Sequence, residues 1–109
     1  MSTDEQRTKV AYLLLERLEL KRDIAGIKND LSRRADAVVK VGGLLRSNPH
    51  VIGIDDQSIT GDYVQRVQKF NSEDLDPKRI AVLVDELRSK TDQLNTAEKQ
   101  IKEMGYALE

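Results

Sequence analysis

No proline interrupts the chain before Pro49. Across that span apolar residues recur at alternating steps of three and four, and this stripe constrains the fold more than any other feature. With Val10 as heptad position a, the a and d positions are Val10, Leu13, Arg17, Leu20, Ile24, Ile27, Leu31, Arg34, Val38, Val41 and Leu45. Nine of the eleven are aliphatic. A repeat of about 3.5 residues keeps one helical face turned toward a partner helix, as in a coiled coil. The spacing predicts a first helix over residues 3–46, roughly 60 Å long at 1.5 Å per residue. Thr3 stands at the N-cap position with Gln6 three residues on, a capping-box spacing. Asp4 and Glu5 follow in the first turn, where negative charge suits the helix dipole. Gly26 lies mid-helix, at a cost of about 1 kcal/mol relative to Ala, and leaves room for a close helix approach. Gly42 and Gly43 leave the C-terminal boundary open between Val41 and Ser47.

A second stripe begins after Asp76-Pro77, a start signal in which Asp caps and Pro at the first helical position loses no needed N–H. Its a and d positions are Ile80, Leu83, Leu87, Lys90, Leu94, Ala97, Ile101, Met104 and Leu108. Lys90 is the one polar member. The pattern predicts a helix over 77–104, with Gly105 as a breaker.

Residues 48–76 read differently. Asn48-Pro49 is a turn signal, because the residue before Pro avoids the helical region. His50-Val51-Ile52-Gly53-Ile54 is β-branched and is read as an extended loop, since a lone strand has no sheet to join. Residues 55–62 are polar and turn-like. Tyr63, Val64, Val67 and Phe70 fall on one helical face, which predicts a short helix over 61–70 capped by Ser58 or Thr60. Residues 71–74 read as loop. The expected fold class is therefore all-α. It is a single domain over 1–109, built as a long antiparallel, coiled-coil-like helical hairpin with a short helix and irregular loop at the tip. Two helices bury little apolar surface, so oligomerisation is expected to complete a bundle, most simply as a twofold dimer.

Two departures from the first stripe carry information. Arg17 and Arg34 occupy seam positions, where a long cation must snorkel, find an acid or set register; the other reading is that they line a pocket for an anion. Leu14, Leu15 and Leu18 lie outside the seam and widen the apolar face beyond what one partner helix can cover. These three are the expected protein interface.

Charge is high at 34%, yet the net is only -1. The total is a cancellation. Residues 1–47 carry ten Lys/Arg and seven Asp/Glu, residues 48–76 two and six, and residues 77–109 six of each. A pI of about 5.9 and a short, acid-flanked Arg33-Arg34 pair argue against nucleic acid, whose binders show a basic face. The absence of cysteine excludes a disulfide framework and zinc-thiolate chemistry. The N-terminus is polar, and the apolar run from Val10 to Leu15 is far short of the ~20 residues a membrane helix needs. A cytoplasmic setting is expected, with no cofactor and no metal. His50 is the only histidine and reads as a solvated loop residue. Asp55, Asp56 and Asp62 do not have calcium-loop spacing.

Leu14-Leu15-Glu16-Arg17-Leu18-Glu19-Leu20, continuing through Asp23-Ile24-Ala25-Gly26-Ile27-Lys28-Asn29, resembles the long first helix of the all-helical chorismate mutases over about fifteen residues. In that family an Arg and a Lys eleven residues on bind the substrate, and Arg17 and Lys28 match those positions. Ser89 and Gln93 resemble a later polar pair. The resemblance implies a small-anion binder or helical enzyme using Arg17, Lys28 and, on the seam reading, Arg34. The reading from the residues themselves is a non-enzymatic helical assembly or adaptor protein that associates with itself or with a partner helix.

Overall fold

A computed structural model describes residues 3–55, 57 and 61–108, apart from the side chains of Thr3, Asp62 and Tyr63. The capping roles expected of Thr3, Ser58 and Thr60, and the placements expected of Asp56, Asp62 and Tyr63, lie outside the described residues. The chain is mostly helical, with a second long helix packed against the first and one small sheet. Helix α1 spans Thr3–Ser47, strand β1 Ile52–Ile54, strand β2 Gln68–Phe70, the single turn α2 Ser72–Leu75, and helix α3 Pro77–Glu103. Short 3₁₀ turns cover Pro49–Val51 and Gly61–Arg66.

The helix ends follow local chemistry. Helix α1 runs straight through Gly42-Gly43, and its ladder closes with the Asn48 N–H donating to the Leu44 carbonyl at 2.8 Å. Pro49 has no N–H to continue it. Helix α3 starts as its sequence predicts: the Lys78 N–H donates to the Asp76 carboxylate at 3.0 Å, with Pro77 at the first position. It ends in a Schellman arrangement. Gly105 takes φ +87, its N–H donates to the Lys102 carbonyl at 2.9 Å, and the Tyr106 N–H donates to the Ile101 carbonyl at 3.3 Å. Gly26 does not serve a close approach, because nothing lies within 4 Å of where a Cβ would stand.

The contacts divide the chain into two compact units, residues 1–28 with 84–109, and residues 29–83. In the first unit the seam holds at every position. Val10, Leu13 and Leu20 of α1 are buried, and Arg17, Ile24 and Ile27 are half-buried. On α3, Ala97 and Ile101 are buried, with Leu87, Lys90, Leu94 and Met104 half-buried. Ile101 is 0% exposed. Fully burying an aliphatic side chain of this size is worth about 1.5–3 kcal/mol, so this stripe holds the unit together.

In the second unit the expected stripe shifts. Leu31 and Arg34 are covered, but the next covered residues of α1 are Ala37, Val41 and Leu44, while the predicted Val38 and Leu45 are exposed. Val41 is covered as expected, while Ala37 takes the place of Val38 and Leu44 that of Leu45. Just before these positions α1 meets the α2 turn, through Arg33–Asp74 and the bond from Arg34 to the Glu73 carbonyl.

The tip also corrects the all-α expectation. Ile52–Ile54 is a strand, and it has a partner. It pairs in parallel with Gln68–Phe70, in the register Ile52↔Gln68, Gly53↔Lys69, Ile54↔Phe70. The predicted helix over 61–70 is thus a 3₁₀ turn followed by a strand, and part of the predicted 71–74 loop is the α2 turn. Residues 55–67 form a connection long enough for parallel pairing, which needs a dozen or more residues. Val64 lies in the turn, Phe70 in the strand and Val67 between them, so their spacing marks no helical face here.

Candidate interaction surface and polar networks

Helix α1 carries a second face within the first unit. At about 100° per residue, Ala11, Leu15 and Leu18 lie on the side of α1 away from Leu13 and Leu20, and Leu14 flanks them next to Val10. All four are exposed, with Leu14 at 43%, Leu15 at 54% and Leu18 at 46%. Tyr12 beside them is also exposed. Ala11, Leu14, Leu15 and Leu18 are neighbours on the helix surface, three or four residues apart. The three leucines expected at an interface therefore lie side by side, uncovered by α3.

The seam cations occupy a different face and are paired with acids. Arg17 Nε donates to Glu98 at 3.4 Å, and Lys90 Nζ to Asp23 at 3.1 Å. Lys28, eleven residues from Arg17, is exposed; at 1.5 Å per residue the two stand about 16 Å apart along the axis. Arg34 belongs to the second unit and is only 4% exposed. Its Nε donates to Asp30 at 2.9 Å, and its Nη1 donates to the Glu73 carbonyl. A guanidinium buried this deeply requires such acceptors, because an unpaired buried charge is strongly destabilising. Arg17 and Arg34 thus each hold a carboxylate of the chain itself. Among the described residues, no cluster of three His, Cys, Asp or Glu is arranged to hold a metal ion, and His50 is exposed in the Pro49–Val51 turn.

Two polar clamps in the second unit escape sequence reasoning. The first joins Arg33 to both Asp74 and Asp30, with Arg34 sharing Asp30. The hydrogen bond from Arg34, reinforced by the charges of both arginines, holds the Asp30 carboxyl below the ordinary aspartate value. Asp74 in turn raises Arg33. The second clamp is Asp55. It takes φ +54, a left-handed conformation that Asp tolerates better than most residues. Its N–H donates to the Phe70 carbonyl at 2.8 Å, extending the β1–β2 ladder. Its carboxylate accepts the Ser72 hydroxyl and the Ser72 N–H, the latter at 2.9 Å. These two bonds hold the Asp55 carboxyl low. Asn71, in the cap position of α2, makes no side-chain cap bond; Asp55 serves that end from seventeen residues away. The available signal was an Asp following a β-branched run, which suits a turn but does not name its partner.

No known protein family, curated protein or solved structure matches this chain. Among the described residues, no helix is long and apolar enough to cross a membrane.

Proposed function

We propose that the chain is a non-enzymatic helical assembly protein, an antiparallel α1–α3 hairpin that buries a second apolar face of α1 against a further helix, most simply that of another copy. The observation that carries this reading is the contiguous exposure of Leu14, Leu15 and Leu18 beside a seam that α3 already covers. The antiparallel sense is supported by the order of the interhelical pairs: Arg17 meets Glu98, and Asp23, further along α1, meets Lys90, earlier on α3. The polar face of α3 and the paired seam cations supply solubility and register. They leave apolar burial as the force available for association. The proposed setting is the cytoplasm, consistent with the polar surface and the absence of cysteine.

The test is association measured by size-exclusion with light scattering across a dilution series. The parent chain is expected to be larger than a monomer. The double substitution Leu15→Glu, Leu18→Glu is expected to make it monomeric while leaving the helical circular-dichroism signal in place, because both side chains lie outside the seam. Association unchanged by the two glutamates overturns this surface.

A further inference from the structure

We infer that the occupant of this face is a second copy of the chain, docked along α1 in the antiparallel sense, with Asp4 of each copy against Arg22 of the other. The inference rests on the assembly reading above and adds the partner, its direction and its register.

The argument starts from periodicity. Asp4 and Arg22 are eighteen residues apart, five full turns at 3.6 residues per turn. They therefore project along one line of α1, about 27 Å apart. Between them, within roughly 40° of that line at ~100° per residue, lie Thr8, Ala11, Leu15 and Leu18. All six residues are exposed. The apolar patch thus has an acid at its N-terminal end and a base at its C-terminal end, on the same face as the leucines.

That polarity decides between orientations. A parallel copy places Asp4 beside the partner's Asp4 and Arg22 beside the partner's Arg22, two like-charge contacts at the rim of an apolar interface. An antiparallel copy with its midpoint at Leu13 places Asp4 against the partner's Arg22, and Arg22 against the partner's Asp4. The same register sets Leu15 over the partner's Ala11, a large side chain against a small one, which lets the helices approach. Sliding the copy by three residues, so that Leu18 meets the partner's Ala11, instead sets Arg22 against the partner's Arg7. Side-chain size suits both registers, and charge selects the first. A twofold axis then generates every contact twice.

The experiment is charge exchange read by sedimentation of the whole chain at low and high salt. Asp4→Arg and Arg22→Asp are each expected to weaken association about tenfold at low salt, since each turns both rim pairs from attraction to repulsion. The double variant Asp4→Arg, Arg22→Asp restores both pairs and is expected to return to within about threefold of the parent, with all differences shrinking at high salt. Both positions are exposed, and a circular-dichroism spectrum of each variant checks the helices. A double variant that is as weak as the sum of its singles overturns the antiparallel register. So does a parent chain that stays monomeric throughout. If the swap fails while Leu15→Glu, Leu18→Glu still abolishes association, the orientation is wrong and the surface stands; if those glutamates change nothing, the assembly reading itself falls.

Discussion

The two units are held together by different chemistry. Residues 1–28 with 84–109 are joined along a seam in which aliphatic side chains do most of the covering: Val10, Leu13, Leu20, Ala97 and Ile101 are all buried. Residues 29–83 bury Val51 and Leu83, but much of their organisation passes through charge: Arg34 on Asp30 and the Glu73 carbonyl, Arg33 on Asp74, Asp55 on Ser72. Apolar burial is non-directional and scales with area, so a periodic stripe suffices to specify it. Polar contacts are directional, and where one is buried, as at Arg34, losing one partner leaves the other unsatisfied. The first unit should therefore be sensitive to side-chain volume and the second to the presence of particular polar atoms.

The largest effect that separates the two is expected at Ile101. It is fully buried, so Ile101→Ala removes contacts on all sides and leaves a cavity. The expected cost is about 2–5 kcal/mol, read as a fall in the chemical-denaturation midpoint. Ile101→Val, which removes one methylene, should cost about 0.5–1.5 kcal/mol. A neutral Ile101→Ala would mean that the seam of the first unit is not where its stability lies.

The same contrast explains what the sequence made legible. The long α1 and α3 elements, the Asp76-Pro77 start and the Gly105 stop were readable because each depends on residues a few positions apart. The seam positions of the first unit were readable because α1 and α3 carry matching repeats. At Val38 and Leu45 the expectation fails, since a heptad count carries no information about which element α1 meets beyond Arg34. The β1–β2 pair was hidden for a related reason. Ile52–Ile54 looked strand-like, but its partner at Gln68–Phe70 lay inside a segment whose spacing also fitted a helix, and pairing over thirteen intervening residues leaves no local mark. Of the candidate site, the exposure of Leu14, Leu15 and Leu18 followed from their position outside the seam. The acceptors chosen by Arg17 and Arg34 did not, because many acids are within reach of a long side chain and only the folded chain selects one.

A smaller effect is expected at Arg34, and it sharpens the claim that directional bonds organise the second unit. Arg34→Met keeps the apolar stem and removes the guanidinium. Asp30 retains Arg33 and is partly exposed, and the Glu73 carbonyl loses its donor, so the cost should be about 2 kcal/mol. Arg34→Lys keeps the charge but cannot reach two acceptors with a rigid fork, and should recover only part of the loss. Recovery to the parent level by Lys would show that charge alone matters there. Equal stability of the Met variant would mean that burial of the stem is the whole contribution.

The smallest expected effect is a local response to acid, and it breaks the comparison most cleanly if it goes the wrong way. Asp30 and Asp55 both lie below the ordinary aspartate value of 3.8, held down by Arg34 and by Ser72 respectively. A carboxylate depressed in the folded state contributes stability that is present above its unfolded value and is lost as pH falls through its folded value. The second unit should accordingly be unaffected from neutrality down to about pH 4 and loosen below it, whereas the packing of Ile101 and Ala97 involves no proton. Amide exchange reads this directly: the Ser72 N–H, whose acceptor is the Asp55 carboxylate, should lose protection below the ordinary aspartate range after correction for the intrinsic rate, ahead of amides near Ile101. Asp55→Asn removes the titrating group, keeps a residue tolerant of the left-handed conformation, and should abolish that pH dependence at Ser72. If the Ser72 amide keeps its protection through the titration, or the Asn variant loses it at the same pH, the Asp55 carboxylate is not what holds the end of α2, and the polar account of this unit would rest on Arg33 and Arg34 alone.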